Sequence, residues 1–477
     1  MTGDGRSFGP PESTWSGLPA AADIVAAVRE AGVIGAGGAG FPTHAKYVPG
    51  VEVVIANAAE CEPLLEKDQK IVEREPDLVV RGLAAAMAAT GAKRGVIAIK
   101  GKHRAAVEAL RSVIGESPGP GTAPDDASAI EIFLLGDFYP AGDEQVLVYE
   151  VTGRQVPPGG LPLDVGAVVN NAETLLNVAR ALEGAPVTRK ALTVAGAVSR
   201  PVTLRVPVGT PAGEVIAFAG PIPSRYAVIE GGPVMGKPLA DLNRPVTKKT
   251  SGYIVLPEDH PLARDHARTL ESTFHLARTA CEQCMACTEA CPRHLLGHPL
   301  QPHLIMRAAG YSWSEALAAS HGGATLQALI CPECRVCDYS CPVALTPSRV
   351  NDALKNHLGS RGIRYPKGVA PSRVHPVRDG RKVPVGRIKG WLDVARYAAP
   401  APWTDETFSP RRVVIPLHQH TGAPAEPVVQ AGVAVVQGQL IGRIPEGKLG
   451  AAVHASISGR VTEVTAAHIV IEAGGVA

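Results

Sequence analysis

The chain has 477 residues, of which 45% are hydrophobic and 4% aromatic, and its formal net charge is +2. This length predicts roughly three or four domains. The balanced charge and the scarcity of aromatic residues argue against a nucleic-acid-binding surface. No uncharged apolar run reaches about 18 residues, so we expect no membrane-spanning helix. Nine cysteines without a secretory signal indicate a reducing, cytoplasmic location.

The N-terminal part contains a polar tail, a helix and a glycine-rich loop. Residues 1–19 are polar and rich in Gly, Pro and Ser, which predicts a disordered tail. Residues 20–31 have the apolar spacing of a helix and lead into the segment GAGGAG at 35–40. Glycines at this density let backbone N–H groups approach a phosphate or a flavin. A helix precedes the loop, whereas a strand precedes an ordinary dinucleotide fingerprint.

Strands and helices alternate after this loop. Buried strands are predicted at 51–56, 95–100 and 130–135, and helices at 64–89 and 103–114. This alternation predicts a parallel sheet with helices on both faces, and hence a Rossmann-like α/β domain over residues 20–186. Ligands in such sheets bind at the carboxyl ends of the strands. Polar segments lie after strands or at helix starts at 57–62, 142–144 and 170–173.

Four segments of this region resemble, in order, motifs of the NADH- and FMN-binding subunit of respiratory complex I. They are GAGGAGFPTHAKY, NAAECEP, AGDEQVL and NNAETLLN. The resemblance implies that FMN is lined by Gly35, Gly37, Gly38, Gly40, Lys46, Asn57, Asn170, Asn171 and Thr174. It implies that the catalytic carboxylates facing FMN and the nicotinamide of NADH are Glu60, Glu62 and Glu144. Any one of these residues alone would be interpreted as a turn glycine or a helix cap.

Three positions depart from that family. Ala36, Ala59 and Asp143 stand where the complex I subunit has Arg, Asp and Glu. These departures bear more on the geometry of NADH binding than on FMN binding. Cys61 lies in the second segment, and we interpret it as a small packing residue.

Residues 187–255 are predicted to form a separate domain. Short strands at 192–198, 203–208 and 226–230 and a helix ending at Ala219 have the strand–strand–helix–strand order of a β-grasp fold. The region resembles the soluble-ligand-binding β-grasp (SLBB) domain that follows the flavin domain of complex I. Its segments GGPVMG and PVTKKTSG are similar to segments of the RnfC family. We expect this domain to be a spacer or a docking surface.

Two short runs hold eight of the nine cysteines at identical spacing, and a proline follows each run. In bacterial ferredoxins with two [4Fe–4S] clusters, this pattern occurs and the fourth cysteine of each run ligates the other cluster. The pattern therefore predicts one cluster on Cys281, Cys284, Cys287 and Cys341. It predicts the second cluster on Cys331, Cys334, Cys337 and Cys291. A pair of structural zinc sites is the alternative.

The cysteine runs lie in a predicted helical, ferredoxin-like domain over residues 265–358. Helices are predicted at 275–280, 312–320 and 348–358. We interpret His294, His298 and His303 as solvated surface residues, because eight thiolates already satisfy two clusters. The alternatives for these histidines are cluster ligation and the binding of cobalt. Residues 359–410 are rich in Pro, Gly and Arg and are predicted to be a solvated linker.

Residues 411–477 contain short apolar runs separated by turn signals. This pattern predicts a small barrel-sandwich hybrid module of the lipoyl/biotinyl type. Lys448 lies near the position of a lipoylated lysine, so a swinging arm is an alternative. The flanking Gly447 and Leu449 differ from the usual setting for lipoylation, and RnfC-type proteins carry this module unmodified.

The order of the modules separates related families. RnfC proteins carry the barrel module and a PLxQHxGAPA segment before the flavin domain, whereas here PLHQHTGAPA lies at 416–425. This order resembles that of the PduS-type cobalamin reductases of propanediol-utilising microcompartments, over nearly the whole chain after about residue 20. The resemblance implies electron transfer from NADH through FMN and two clusters to cobalamin. It implies a location in the cytoplasm, including the interior of a bacterial microcompartment.

The same resemblance implies partners. Cobalamin or a corrinoid adenosyltransferase would accept the electrons, and shell or lumen proteins of the microcompartment would be neighbours. No corrinoid-binding Asp-x-His-x-x-Gly segment occurs in the chain, so no residue is assigned to cobalamin. The alternative function is an RnfC-like electron-wire subunit of a membrane ion-pumping complex, without turnover of its own.

Overall fold

The computed structural model describes residues 17–115, 129–311 and 323–474. Most of the predicted tail and the predicted helix at 312–320 lie outside the described residues. In the described ranges, a parallel sheet, a mixed sheet, a helical region and two small sheets follow one another along the chain. The helices in these ranges include none with the length and apolar composition needed to cross a membrane.

The N-terminal region is a parallel sheet with helices on both faces. Its strands are β1 (Val53–Ala58), β2 (Arg94–Lys100), β3 (Ala129–Leu135) and, after a short separate strand β4 (Phe138–Tyr139), β5 (Ala167–Asn171). Its helices are α1 (Ala21–Glu30), α2 (Lys67–Arg74), α3 (Pro76–Thr90), α4 (Arg104–Ile114), α5 (Glu144–Thr152) and α6 (Ala172–Leu182). The strand order is β3-β2-β1-β5, and every pair is parallel. The predicted parallel α/β sheet is confirmed.

The two faces of this sheet have separate cores. Val54 and Ile97 face a core shared with helices α1 to α4 and α6. Ile55 and Val96 face the other core, where α5 packs. Strands buried on both faces need the near-continuous Val, Ile and Ala runs seen in β1 and β2. Because the strands are parallel, their carboxyl ends meet at one edge, which is where such sheets bind ligands.

A mixed sheet with one helix follows. Its strands are β6 (Arg189–Gly196), β7 (Val202–Pro207), β8 (Tyr226–Glu230), β9 (Lys237–Pro238) and β10 (Gly252–Pro257), and its helix is α7 (Ala212–Ala219). The order is β7-β6-β10-β8-β9, with β6 and β10 parallel at the centre. The sequence predicted β6, β7, α7 and β8, but not β10.

The cysteine runs lie in a helical region. Its helices are α8 (Pro261–Ala267), α9 (Leu270–Ala280), α10 (Ala286–Glu289), α11 (Pro292–Leu295), α12 (Pro302–Tyr311), α13 (Val336–Tyr339) and α14 (Pro347–Ser360). Ala277, Ile305 and Leu354 on three of these helices pack in one core with Cys291 and Cys331. The helical setting predicted for the cysteines is therefore present in the described part.

Two histidines near the first cysteine run are buried, so the expectation that they are solvated is wrong. His298 is 2% exposed, and its Nε2 donates to the carbonyl oxygen of Val156 at 2.9 Å. His303 is 6% exposed, with its Nδ1 2.8 Å from the hydroxyl of Thr288. Each ring has found a polar partner inside the protein, which composition alone does not reveal.

The predicted solvated linker at 359–410 is also wrong in part. It contains β11 (Val383–Pro384), which pairs with β4, and α15 (Val385–Trp391). Ile388 and Val394 are fully buried in a core shared with Cys334 and Tyr139. A few apolar side chains at helical spacing are enough to anchor this segment, although Pro, Gly and Arg dominate its composition.

The C-terminal region consists of two small sheets. Its strands are β12 (Arg412–Pro416), β13 (Glu426–Pro427), β14 (Ala434–Val435), β15 (Leu440–Arg443), β16 (Val453–His454), β17 (Gly459–Val464) and β18 (His468–Glu472). The sheets have the orders β12-β18-β17-β14 and β13-β15-β16. Val413, Ile441 and Ile471 share the core of this region. Thr421 N–H donates to the carbonyl oxygen of Gly40 at 3.0 Å, so this region contacts the glycine-rich loop.

Candidate functional site

The glycine-rich loop lies between α1 and the short 3-10 helix Thr43–Lys46. Gly38 and Gly40 have φ angles of +117° and +66°, a region that favours glycine. The Ala36 N–H donates to the hydroxyl of Thr174, on α6, at 2.9 Å. The loop is therefore held to the carboxyl edge of the sheet by a side chain that follows β5.

A buried network of four charged side chains supports this loop. It comprises Lys67, Asp68, Glu173 and Lys190, each at most 6% exposed. Lys67 Nζ lies 2.5 Å from Asp68 and 3.4 Å from Glu173. Lys190 Nζ contacts Glu173 and donates to the carbonyl oxygen of Ala36 at 2.9 Å. Burial alone would raise the pKa of Glu173, but the two lysines hold it below its ordinary value.

The sequence did not predict this network. Its lysines stand on α2 and β6, and only the packing of α2, α6 and β6 brings them to Glu173. A buried carboxylate paired with two lysines is satisfied in the low-dielectric interior. Because Lys190 also binds the carbonyl oxygen of Ala36, the network links the mixed sheet to the loop.

The end of β1 and the residues that follow it contact the turn before α5. Asn57 Nδ2 donates to the carbonyl oxygen of Gly142 at 2.9 Å, and the Gly142 N–H donates to Cys61 Sγ at 2.7 Å. Asn57 and Asn171 are neighbours in the register of β1 and β5. Asn171 Nδ2 donates to Asp68 at 2.7 Å. The structure therefore brings the predicted asparagines together at the edge of the sheet that also carries the glycine-rich loop.

Two of the predicted catalytic carboxylates lie beside these segments. Glu60 accepts the N–H of Asp68, and burial, followed by the charge of Asp68, raises the pKa of Glu60 to about 8. Glu144 begins α5 and lies 3.6 Å from Lys46 Nζ. Lys46 also donates to the carbonyl oxygen of Val169 at 3.2 Å. A cation and a carboxylate thus lie together just after the glycine-rich loop, whereas Glu60 contacts the start of α2.

The third predicted carboxylate, Glu62, binds the mixed-sheet region. It accepts the N–H groups of Val234 and Met235, each at 2.9 Å. Burial raises the pKa of Glu62 to about 7, although the Arg335 guanidinium acts in the opposite direction. Arg335, from the second cysteine run, donates to the carbonyl oxygen of Val234 at 3.4 Å. Glu62 therefore connects the flavin-type region with the mixed-sheet region and the cysteine region. Each of its carboxylate oxygens already accepts a backbone hydrogen bond.

The residues at this edge fit FMN. Asn170 is 3% exposed, and its Nδ2 has no hydrogen-bond partner among the residues that the structure describes. Thr43 Oγ1 is buried and unpartnered in the same way. Unpaired buried polar groups are costly, so a ligand that binds them is favoured. A Cβ on Gly38 would meet nothing within 4 Å, which leaves room for a phosphate near the loop N–H groups.

The eight cysteines of the two runs form two groups, and each group includes one member from the other run. One group is Cys281, Cys284, Cys287 and Cys341, and these four line one cavity. The other group is Cys291, Cys331, Cys334 and Cys337. Burial, and then the negative charges that the other three cysteines carry as thiolates, raises the pKa of Cys287 to about 12. Burial, and then Cys291, raises the pKa of Cys334.

The two runs share a backbone conformation. The residues on either side of the second cysteine have positive φ in both runs: Gln283 (+55°), Met285 (+67°), Glu333 (+60°) and Arg335 (+58°). Such angles are uncommon in residues other than glycine. Their recurrence at equivalent positions indicates that each loop folds around a similar object.

The two groups differ in exposure. Cys284 is exposed, and Cys281 and Cys341 are half-buried. All four cysteines of the second group are between 5% and 7% exposed. We call the first set of four cysteines the exposed group and the second set the buried group.

Over the described ranges, no group of three or more His, Cys, Asp or Glu side chains is arranged to hold a single metal ion.

The buried group lies against the flavin-type site. Cys334 shares a core with Leu64, Leu65 and Tyr139 of the N-terminal region, and Cys61 packs against that core. Arg293, which follows Cys291 by two residues, pairs with Asp143 at 2.8 Å. Few side chains therefore separate the Gly142–Cys61 contact from a cysteine of the buried group.

Comparison with protein families supports this division of the chain. Residues 28–180 match the Nuo51 FMN-binding domain, 280–346 a 4Fe-4S dicluster domain, and 401–476 the RnfC barrel sandwich hybrid domain. These matches confirm the predicted FMN-binding region, iron–sulfur region and C-terminal module. They favour iron–sulfur clusters over structural zinc.

Individual relatives cover more of the chain. Cobalamin reductase PduS of Salmonella typhimurium is 43% identical over 454 residues, which are 94% of this chain and 96% of that protein. A component of the Na⁺-translocating ferredoxin:NAD⁺ oxidoreductase complex of Acetobacterium woodii is 36% identical over 56% of this chain and 57% of its own. A solved NAD⁺-reducing [NiFe]-hydrogenase, in the H₂-reduced state, covers 70% of this chain and 62% of its own, with 24% identity and a TM-score of 0.48. By the extent of the first match, the chain belongs to the PduS family of cobalamin reductases.

Proposed function

We propose that this chain is an NADH-dependent cobalamin reductase that passes electrons from NADH through FMN and two [4Fe–4S] clusters to cobalamin. The observation that carries this proposal is the 43% identity, over 94% of the chain, to a protein named cobalamin reductase. The packing of Cys334 against the N-terminal region supports it, because electrons need a short path from flavin to cluster. FMN, when bound, accepts a hydride and releases single electrons, which iron–sulfur clusters carry.

The residues of the flavin site would act by binding and orientation. We assign FMN to the nine residues inferred from the family resemblance: Gly35, Gly37, Gly38, Gly40, Lys46, Asn57, Asn170, Asn171 and Thr174. The unpartnered amide of Asn170 supports a direct contact. Thr174 would act on FMN indirectly, through the loop, because its hydroxyl accepts the Ala36 N–H. Asn171 would also act on FMN indirectly, because its side-chain amide donates to Asp68.

We assign different roles to the three carboxylates. Glu60, whose pKa burial raises to about 8, can hold a proton next to the site at neutral pH. Glu144 keeps the ammonium group of Lys46 beside the loop. Glu62 holds the 234–235 backbone and so positions the mixed sheet against the flavin region. NADH binding would involve Glu60 and Glu144 more directly than Glu62.

The exposure of the cysteines supports an order for the clusters. The buried group is adjacent to the flavin region, so its cluster would be the first to receive an electron. The exposed group includes Cys284 at the surface, with Met285 (42% exposed) and Val343 (37% exposed) beside it. We propose that electrons leave the protein at this exposed edge, where an acceptor can approach the cluster.

We extend the proposal to the remaining modules and to partners. The strand order β7-β6-β10-β8-β9, with a parallel central pair, supports an SLBB-type β-grasp domain at 187–255. Cobalamin or a corrinoid adenosyltransferase would take the electrons at the exposed edge. The family resemblance supports a place in the cytoplasm within a microcompartment, next to its shell or lumen proteins.

A second candidate function is that of an RnfC-like electron-wire subunit. The match of 401–476 to the RnfC barrel sandwich hybrid domain favours it, as does the 36% identity to a component of an ion-translocating complex. Such a protein would reduce artificial acceptors but would have no turnover with cobalamin.

The two candidates differ in steady-state assays of the purified protein. With reconstituted clusters and FMN under anaerobic conditions, the reductase should oxidise NADH in proportion to the cobalamin that it reduces. The control acceptor is ferricyanide, which both candidates should reduce. Turnover with ferricyanide and none with cob(III)alamin or cob(II)alamin would favour the electron wire.

A further inference from the structure

Tyr139 is a buried phenol between the flavin region and the buried cysteine group. It ends β4, pairs with Val383 of β11 and is 2% exposed. It shares a core with Leu64, Leu65 and Cys334. The ring is therefore fixed by packing on the flavin side, on the cluster side and by the 383–394 segment.

The hydroxyl of this phenol has no hydrogen-bond partner among the described residues. Buried tyrosine hydroxyls usually find one, because an unpaired buried polar group costs about 1–3 kcal/mol. Burial first, and then the charges of Glu62, Cys334 and Cys61, raises the pKa of Tyr139. The hydroxyl is therefore neutral and can donate a hydrogen bond, and the nearby groups that act on it include a carboxylate and two sulfur atoms.

The acceptors differ in how far they are already used. Each oxygen of Glu62 accepts a backbone N–H at 2.9 Å. Cys61 Sγ accepts the Gly142 N–H at 2.7 Å. Cys334, in contrast, belongs to a group of four cysteines that would bring the sulfur atoms of a whole cluster to this place. The unpaired hydroxyl therefore belongs to a residue that shares its core with a cysteine of the buried group.

We propose that Tyr139 donates a hydrogen bond to the sulfur atoms of the cluster held by Cys291, Cys331, Cys334 and Cys337, and thereby raises its reduction potential. Hydrogen bonds to sulfur stabilise the reduced, more negative cluster. A higher potential at the first cluster favours acceptance of an electron from the flavin. This inference rests on the proposed function, since it requires a cluster at the buried group.

The test compares Tyr139→Phe with Tyr47→Phe. Tyr47 is the matched control, because its hydroxyl is also buried and unpartnered, yet its ring packs in the core of α1 with Ile24 and Val28. Both clusters are titrated by electron paramagnetic resonance with a chemical reductant, so that neither NADH nor cobalamin enters the measurement. Iron and FMN contents are measured on the same samples.

In Tyr139→Phe, the midpoint potential of one cluster should shift to a more negative value, and the other should keep its wild-type value. The shift should persist in a Cys341→Ser background, which retains only the buried cluster. Tyr47→Phe should shift neither potential. Unchanged potentials at full iron content, or equal shifts of both clusters, would overturn the role of Tyr139. A wild-type protein without a cluster at the buried group would instead contradict the proposed function.

A second variant, with a fluorinated tyrosine at position 139, tests the proposal even where the Phe variant loses its clusters. Fluorination makes the phenol a stronger donor with little change in size. The same cluster should then shift to a more positive potential, opposite to the effect of Phe. A negative shift or none would overturn the proposal.

Discussion

Arg293 and Asp143 form an ion pair of 2.8 Å in which each side chain is 9% exposed. Asp143 also caps α5, since its carboxylate accepts the N–H groups of Gln145 and Val146 at 3.1 Å. One carboxylate therefore fixes the start of a flavin-region helix and binds the cysteine region. The pair holds the two regions in register at the point where electrons would cross.

Breaking this pair should weaken the protein strongly. Arg293→Met leaves Asp143 buried without its cation, which costs about 3–5 kcal/mol. Arg381→Met is the control, because its partner Glu289 lies 3.0 Å away and both side chains are about half exposed. An exposed pair contributes about 0–1 kcal/mol. Anaerobic denaturant titration measures both, and equal losses in the two variants would contradict a structural role for the buried pair.

Thr174 should control FMN affinity. Thr174→Val leaves the buried Ala36 N–H without its acceptor, at a cost of about 1–3 kcal/mol. This hydrogen bond orders the loop that binds FMN, so we expect the free-energy cost to fall on the FMN-bound state. FMN affinity should then fall roughly 5- to 150-fold. Thr90→Val is the control, since Thr90 is equally buried but binds only its own helix. Fluorescence titration of the apoprotein with FMN gives the dissociation constants, and wild-type affinity in Thr174→Val would refute the assignment.

The crossed cysteine groups can be tested by chelation. The wild type should contain about eight iron atoms, with one half released quickly to a chelator from the exposed group. Cys341→Ser should lose the quickly released half, although Cys341 belongs to the second run. Cys337→Ser should lose the slowly released half, and Cys61→Ser should keep both. Loss of the slow fraction in Cys341→Ser would show that each run binds its own cluster.

Glu60 should make stability depend on pH. Burial first, and then the charge of Asp68, raises its pKa from 4.5 to about 8. The folded protein therefore holds this proton more tightly than the unfolded chain. The stability that Glu60 contributes in its protonated form is fully present below its ordinary pKa of 4.5. It is lost as the pH rises through the folded-state pKa of about 8.

Glu60→Gln cannot ionise, so its stability should fall less than that of the wild type between pH 4.5 and 8. Denaturant midpoints across this range measure the difference. Glu108→Gln, on the exposed side of α4, is the control for removal of a carboxylate. A slope in Glu60→Gln equal to that of the wild type would show that Glu60 does not titrate in this range.

Local patterns predicted much of the molecule from the sequence. Strand–helix alternation predicted the parallel sheet, because periodicity and composition act within single elements. The cysteine pattern predicted the two groups, because three members of each group are neighbours in sequence and the fourth follows the exchange known from two-cluster ferredoxins. The glycine-rich segment at 35–40 was interpreted as a flavin loop only because three further segments resembled, in order, motifs of the complex I subunit.

Features that depend on packing were not predictable in this way. Lys67 and Lys190 reach Glu173 only through the contact of α2, α6 and β6. Tyr139 shares a core with Cys334 and with Val383 of β11, the strand that pairs with β4. Such contacts join segments that are distant in sequence, and no periodicity or composition signals them.

The most direct test of the proposed electron path is anaerobic rapid mixing of the holoprotein with NADH and cob(III)alamin, in the wild type and in Cys341→Ser. The wild type should show loss of flavin absorbance, then cluster reduction, then formation of cob(II)alamin. In Cys341→Ser the flavin and the buried cluster should still be reduced, but formation of cob(II)alamin should fall at least tenfold. Undiminished cobalamin reduction in this variant would contradict an exit through the exposed cluster, and its absence in the wild type would contradict the reductase itself.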